Sequence, residues 1–99
     1  MGNSRQRHDI NLSTFAVDAP YIYFAGIDYF TSWEWRIEKR NLGDGSFVTS
    51  FGTAGAVTSF PSSQEELNAL AVSGNYLCAG GYGVVPTNIY ERRIEKRYK

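Results

Sequence analysis

Polar and apolar side chains alternate along Trp33-Glu34-Trp35-Arg36-Ile37-Glu38-Lys39-Arg40, so that Glu34, Arg36, Glu38 and Arg40 share one face. Trp33, Trp35, Ile37 and Lys39 share the other, and a period of two marks a β-strand with two differently dressed faces. The alternation returns near residue 99, with Glu91, Arg93, Glu95 and Arg97 opposed by Tyr90, Arg92, Ile94 and Lys96. Upstream of the first run, Phe15-Ala16-Val17 leads through a turn at Asp18-Ala19-Pro20 into the apolar run Tyr21 to Ala25. Downstream, Gly43-Asp44-Gly45 separates the strand ending at Leu42 from a further strand over Ser46 to Phe51, and Asp-Gly between two such runs signals a hairpin.

A helix is the competing reading of the charged runs. Arg, Glu and Lys are good helix formers, and a helix ending near Leu42 would have Gly43 as its cap. The alternation favours strand for the first copy, while strand and helix both remain open for residues 88–99. Ser63 with Glu66 forms a capping box that would suit a single helical turn before Leu67.

The pentad Arg-Ile-Glu-Lys-Arg occurs at Arg36 to Arg40 and again at Arg93 to Arg97, an offset of 57 (93 − 36). Upstream of a short gap the likeness continues at an offset of 55, with Leu12 to Asp28 lying over Leu67 to Gly83. Leu12/Leu67, Ala16/Ala71, Val17/Val72, Tyr21/Tyr76 and Gly26/Gly81 are identical pairs. The two-residue difference falls in a polar, aromatic-rich segment, which is how a loop varies between copies of one structural unit. The chain therefore divides into a polar tail over 1–11, one repeat over 12–66 and an incomplete second repeat over 67–99. Four short strands in meander order per unit predict an all-β fold, β-propeller-like, with a four-stranded antiparallel blade in each unit and the second blade incomplete.

Together YIYFAGID, WRIEKR, DGS and SFGTAGAVTSFPS resemble the uncharacterised β-propeller-type repeat proteins of archaea and bacteria. The resemblance covers residues 12–97. It implies blades built from an aromatic-rich strand, a WRIEKR-like strand, a DGS turn and an FGxxG segment leading into a Val-Thr connector. It implies no catalytic group.

Ten Lys and Arg balance ten Asp and Glu, so no basic field is available to hold nucleic acid or an anionic membrane. Cys78 is the sole cysteine, which excludes an intramolecular disulfide and a thiolate metal cage. No signal peptide or run of ~18 apolar residues is present, and the expected compartment is a reducing, cytoplasmic one. Gln6 breaks the myristoylation pattern, and Asn11-Leu12-Ser13 matches a glycosylation triplet of a kind that arises by chance.

Catalytic constellations are absent. The single histidine, His8, lies in the polar tail, and no CxxC, HxxxH or calcium-loop spacing occurs. Gly80, Gly81 and Gly83 come after a strand but open no phosphate-binding helix, and Cys78 sits in an apolar strand at the place of Tyr23. The expectation is a non-enzymatic chain with no cofactor and no metal.

A repeat unit cannot bury both of its apolar faces alone, so units normally stack in sets of about three or more. Two units leave two faces uncovered, which predicts a homo-oligomer in which three copies give six blades or four give eight. Glu34, Arg36, Glu38, Arg40, Glu91, Arg93, Glu95 and Arg97 are then the assembly and register residues, since covered charges must be paired. Two alternatives accompany this expectation. Variable loops 27–32 and 83–88 could bind a glycan or peptide through Asp28, Tyr29, Phe30 and Trp33, or the chain could be a fragment of a longer propeller protein.

Overall fold

The computed structural model of the chain describes residues 9–29, 33–59, 64–84 and 90–99. Among these described residues seven strands succeed one another: β1 (Asp9–Asp18), β2 (Tyr21–Tyr29), β3 (Trp33–Asn41), β4 (Ala56–Ser59), β5 (Gln64–Ser73), β6 (Tyr76–Val84) and β7 (Tyr90–Tyr98). They form two antiparallel sheets in meander order, β1-β2-β3-β4 and β5-β6-β7. The fold is all-β, and both charged runs are strands. No helical turn forms ahead of Leu67 among the described residues: Gln64 to Leu67 already pair with Val84 to Gly81. Strand β1 also begins earlier than Leu12, with Asp9, Ile10 and Asn11 opposite Tyr29, Asp28 and Ile27.

The two sheets share one pairing scheme. Asp18 meets Tyr21 and Ser73 meets Tyr76; Tyr21 meets Asn41 and Tyr76 meets Tyr98. Both first strands carry a bulge at the same place, between Leu12 and Thr14 and between Leu67 and Ala69. The bulge presses β1 onto β2 so closely that a Cβ on Gly26 would lie 2.0 Å from the Asn11 carbonyl oxygen. Glycine is required there, and Gly81 occupies the equivalent place opposite Leu67. The strand connections solve one problem with different chemistry: Ala19-Pro20 in the first sheet, Gly74-Asn75 with Gly74 at φ 58° in the second.

The fourth strand departs from expectation. Asp44 does cap the predicted turn, its Oδ1 accepting from the Ser46 amide at 2.9 Å and the Ser46 hydroxyl at 2.7 Å. Beyond the turn, Phe47 makes only an isolated bridge to Arg40, and regular pairing with β3 resumes at Ala56 opposite Glu38. Residues 48–55 leave the sheet in successive turns that need positive φ at Gly52, Ala54 and Gly55. The excursion returns Phe51 to the core, edge-on to Tyr23 at 6.0 Å. Ser46 to Phe51 is therefore not a strand, because Phe51 gains more from burial than an exposed edge strand would supply.

Each sheet has a front face, bearing Leu12, Phe15, Val17 and Phe24 in the first, and a back face, bearing Tyr23, Ala25, Trp35 and Ile37. The front of the second sheet packs on the back of the first, with β5 running against β1, β2 and β3. Trp35, Tyr23, Ile37, Leu67 and Leu77 are each no more than 2% exposed. Burying each contributes roughly 1.5–3 kcal/mol, so one sheet-to-sheet contact supplies most of the core.

Candidate functional site

Charged side chains line the front of both sheets. In the first, Glu38 accepts from Arg36 Nε at 2.8 Å and from Arg40 Nε at 3.0 Å, while Arg36 Nη1 also reaches Asp28 Oδ2 at 3.1 Å. Glu38 is buried, which is tolerable only because both carboxylate oxygens are engaged by guanidinium groups. The second sheet repeats the ladder, Glu95 bridging Arg93 and Arg97. The alternating sequence builds it: residues two apart on a strand lie ~6–7 Å from each other on one face, within reach of Arg and Glu.

The ladder of the second sheet faces the first. Arg93 places its guanidinium over the Trp35 ring at 4.5 Å, a cation–π contact at the sheet junction. Lys39, over the Tyr21 ring at 4.2 Å, donates to the Lys99 carbonyl at 3.2 Å, and Lys99 Nζ is paired with Asp18. The Ser13 hydroxyl donates to the Leu67 carbonyl at 3.3 Å. Burial shifts two groups here. It pushes the Tyr23 phenol up to about 12, assisted by the negative charge of Asp18. It also lowers Lys39, with Lys99 adding repulsion and Asp18 opposing.

The outward faces carry the equivalent positions uncovered. On the front of the first sheet Phe15 is 61% and Val17 53% exposed, where Leu70 and Val72 pack against the core. On the back of the second sheet Ile94 is 83% and Tyr98 72% exposed, although Ile37, the counterpart of Ile94, is 2% exposed. Lys96 sits over Tyr76 at 4.1 Å as Lys39 sits over Tyr21. Tyr76 stacks on Tyr98 at 4.9 Å, and a hydrogen bond that the Tyr76 hydroxyl donates to Tyr98 raises the Tyr76 phenol above its usual range.

The expected loop-binding residues separate. Asp28 lies within β2, buried and committed to Arg36, so it is a member of the ladder and not a recognition acid on a loop. Tyr29 ends β2, exposed, opposite Trp33 at the start of β3. Phe30, with residues 31 and 32, and the counterpart segment 85–89 lie outside the described residues. Among the register residues, Arg36, Glu38, Arg40, Arg93, Glu95 and Arg97 form the two ladders, Glu34 shares the front face opposite Asp28, and Glu91 pairs in β7 with Gly83. Sequence reasoning missed Lys39, Asp18 and Trp35 as junction residues; the parity of Trp35 and Lys39 with Ile37 is the signal that places them on the back.

Among the described residues no group of His, Cys, Asp or Glu could hold a metal ion. A cleft of about 450 Å³ between β4 and β7 is lined by Arg36, Thr53, Thr58 and Arg97, whose cations are held by Asp28, Glu38 and Glu95. No described helix is long and apolar enough to cross a membrane. Compared with known protein families, curated proteins and solved structures, the chain matches none.

Proposed function

We propose that the chain is a non-catalytic, β-propeller-type structural and interaction module that completes itself by homo-oligomerisation, three copies giving six blades or four giving eight. One observation carries the reading: the second sheet covers the back of the first through positions whose equivalents, Phe15, Val17 and Ile94, are exposed elsewhere on the chain. An apolar surface that a sister unit covers within the chain is a docking surface when it recurs uncovered. The paired ladders support the same reading, since charges that are already neutralised can be covered at little further desolvation cost. Closed rotation of such a unit conceals every face, and cyclic assemblies do this with one interface type.

Sedimentation equilibrium on the purified protein tests it. With a chain of 11.1 kDa, the expected mass is about 33 or 44 kDa (three or four times 11.1). A monodisperse, folded species at the chain mass overturns the proposal.

A further inference from the structure

Resting on that self-association, the structure assigns a direction to it: we propose that the front of the first sheet of one copy seats on the back of the second sheet of the next. The two free faces differ from the two that meet inside the chain, and they differ in compensating ways. On the back of the second sheet, Cys78 and Gly80 stand where the first sheet has Tyr23 and Ala25, so that surface is hollowed. On the front of the first sheet, Phe15 and Phe24 stand where the second has Leu70 and Ala79, so that surface is raised. The two rings lie together, centroids 6.2 Å apart, as one protrusion. Bulk lost from one free face thus reappears on the other, as interdigitating sheet faces require.

Charge obeys the same rule. Within the chain Arg93 lies over Trp35. At the equivalent junction between copies Arg36 would meet Arg92, exposed and without an ion pair among the described residues, in place of the indole. Two guanidinium groups in contact would repel, but the front of the first sheet has Asp28 at the place of Gly83, its carboxylate 3.1 Å from Arg36. The acid next to Arg36 answers the extra base on the opposing face.

Front meeting back is a heterologous contact, which closes into a ring or grows as a filament and never yields a two-fold dimer. The test uses two charge blocks at exposed positions, Phe15→Glu on the front and Ile94→Glu on the back, each checked by far-UV circular dichroism. Each variant alone is expected to be monomeric, and an equimolar mixture is expected to give a 1:1 complex of twice the chain mass, since one intact front then faces one intact back. A wild-type monomer overturns the self-association itself. Assembled wild type with no mixed complex, or with one variant still dimeric alone, overturns the direction only. A second measurement addresses the charge pair: Asp28→Asn and Arg92→Gln are each expected to weaken association about tenfold, with the double variant no weaker than the worse single. Independent losses multiplying to about a hundredfold would show that the two side chains do not meet.

Discussion

Replacing Glu38 by Gln keeps the shape of the side chain and removes its charge. The Glu38 side chain is 3% exposed, and the arginines it joins are 16% and 30% exposed at Arg36 and Arg40. An amide offers one acceptor oxygen in place of two, so one guanidinium loses its partner and the ladder carries an uncompensated cation. Breaking a buried pair in this way costs roughly 3–5 kcal/mol, and the partial solvation of both arginines places this case at about 3. Glu95→Gln is the internal control. Its side chain is 19% exposed between Arg93 and Arg97 at 24% and 31%, so water replaces much of what is lost. The expected cost there is about 1 kcal/mol. Urea is the suitable denaturant because guanidinium chloride would screen the pairs. With a urea slope of about 1.5 kcal/mol/M, the midpoint should fall by about 2 M for Glu38→Gln and by under about 1 M for Glu95→Gln. Protein concentration is held fixed, because assembly adds to apparent stability. Equal shifts, or a larger one at Glu95, would refute the claim that burial sets the strength of the ladder.

Two further outcomes are expected from the core. Tyr23 has a folded pKa of about 12 against an ordinary 10.0, so its stabilising effect is complete below pH 10 and is lost as pH rises towards 12. The difference in stability between wild type and Tyr23→Phe should change by about 3 kcal/mol over that window, in favour of the variant at high pH; parallel pH profiles would contradict it. At neutral pH the variant should be no less stable, since the buried Tyr23 hydroxyl has no hydrogen-bond partner among the described residues. Gly26→Ala drives a Cβ into the Asn11 carbonyl and should cost about 3 kcal/mol in a thermal melt, whereas Gly43→Ala, with open space around it, should cost under about 1.

The strands are the most legible part of the chain. Trp33, Trp35 and Ile37 recur every second residue, and no helix can put them on one stripe while segregating Glu34, Arg36 and Glu38. The repeat offsets are equally informative, because the register of β1, β2 and β3 recurs residue for residue in β5, β6 and β7. Asp28 misleads for a local reason. Its neighbourhood varies between the copies, which suggests a loop, yet continuing the parity of Ile22, Phe24 and Gly26 along β2 brings it beside Arg36. The fourth strand eludes a sequence reading for a different reason. Asp44-Gly45 marks the turn correctly, but the expected hairpin strand does not follow, because the path of the chain beyond the turn is decided by the pull of Phe51 towards Tyr23, a contact between distant residues that no short window contains. The Arg93–Trp35 stack is likewise tertiary, and the sequence offers only its two ends.

Strand pairing imposes an odd-and-even rule on how this chain can change length, and the paired bulges are the places that escape it. Three residues join β2 to β3 and five join β6 to β7, and the sheets keep the same register across either link. Between strands, then, insertions pass unnoticed. Inside β1 the supernumerary residue is Ser13, and inside β5 it is Asn68. Deleting Ser13 alone would straighten the ladder and leave Leu12 on the front opposite Gly26, whereas deleting the paired residue Ala16 would carry Phe15 off the front and Thr14 onto it. A lineage of such proteins could gain or shed loop residues, or the bulge residue itself, without turning a face, while the loss of one paired residue within these strands would invert a surface and be removed by selection.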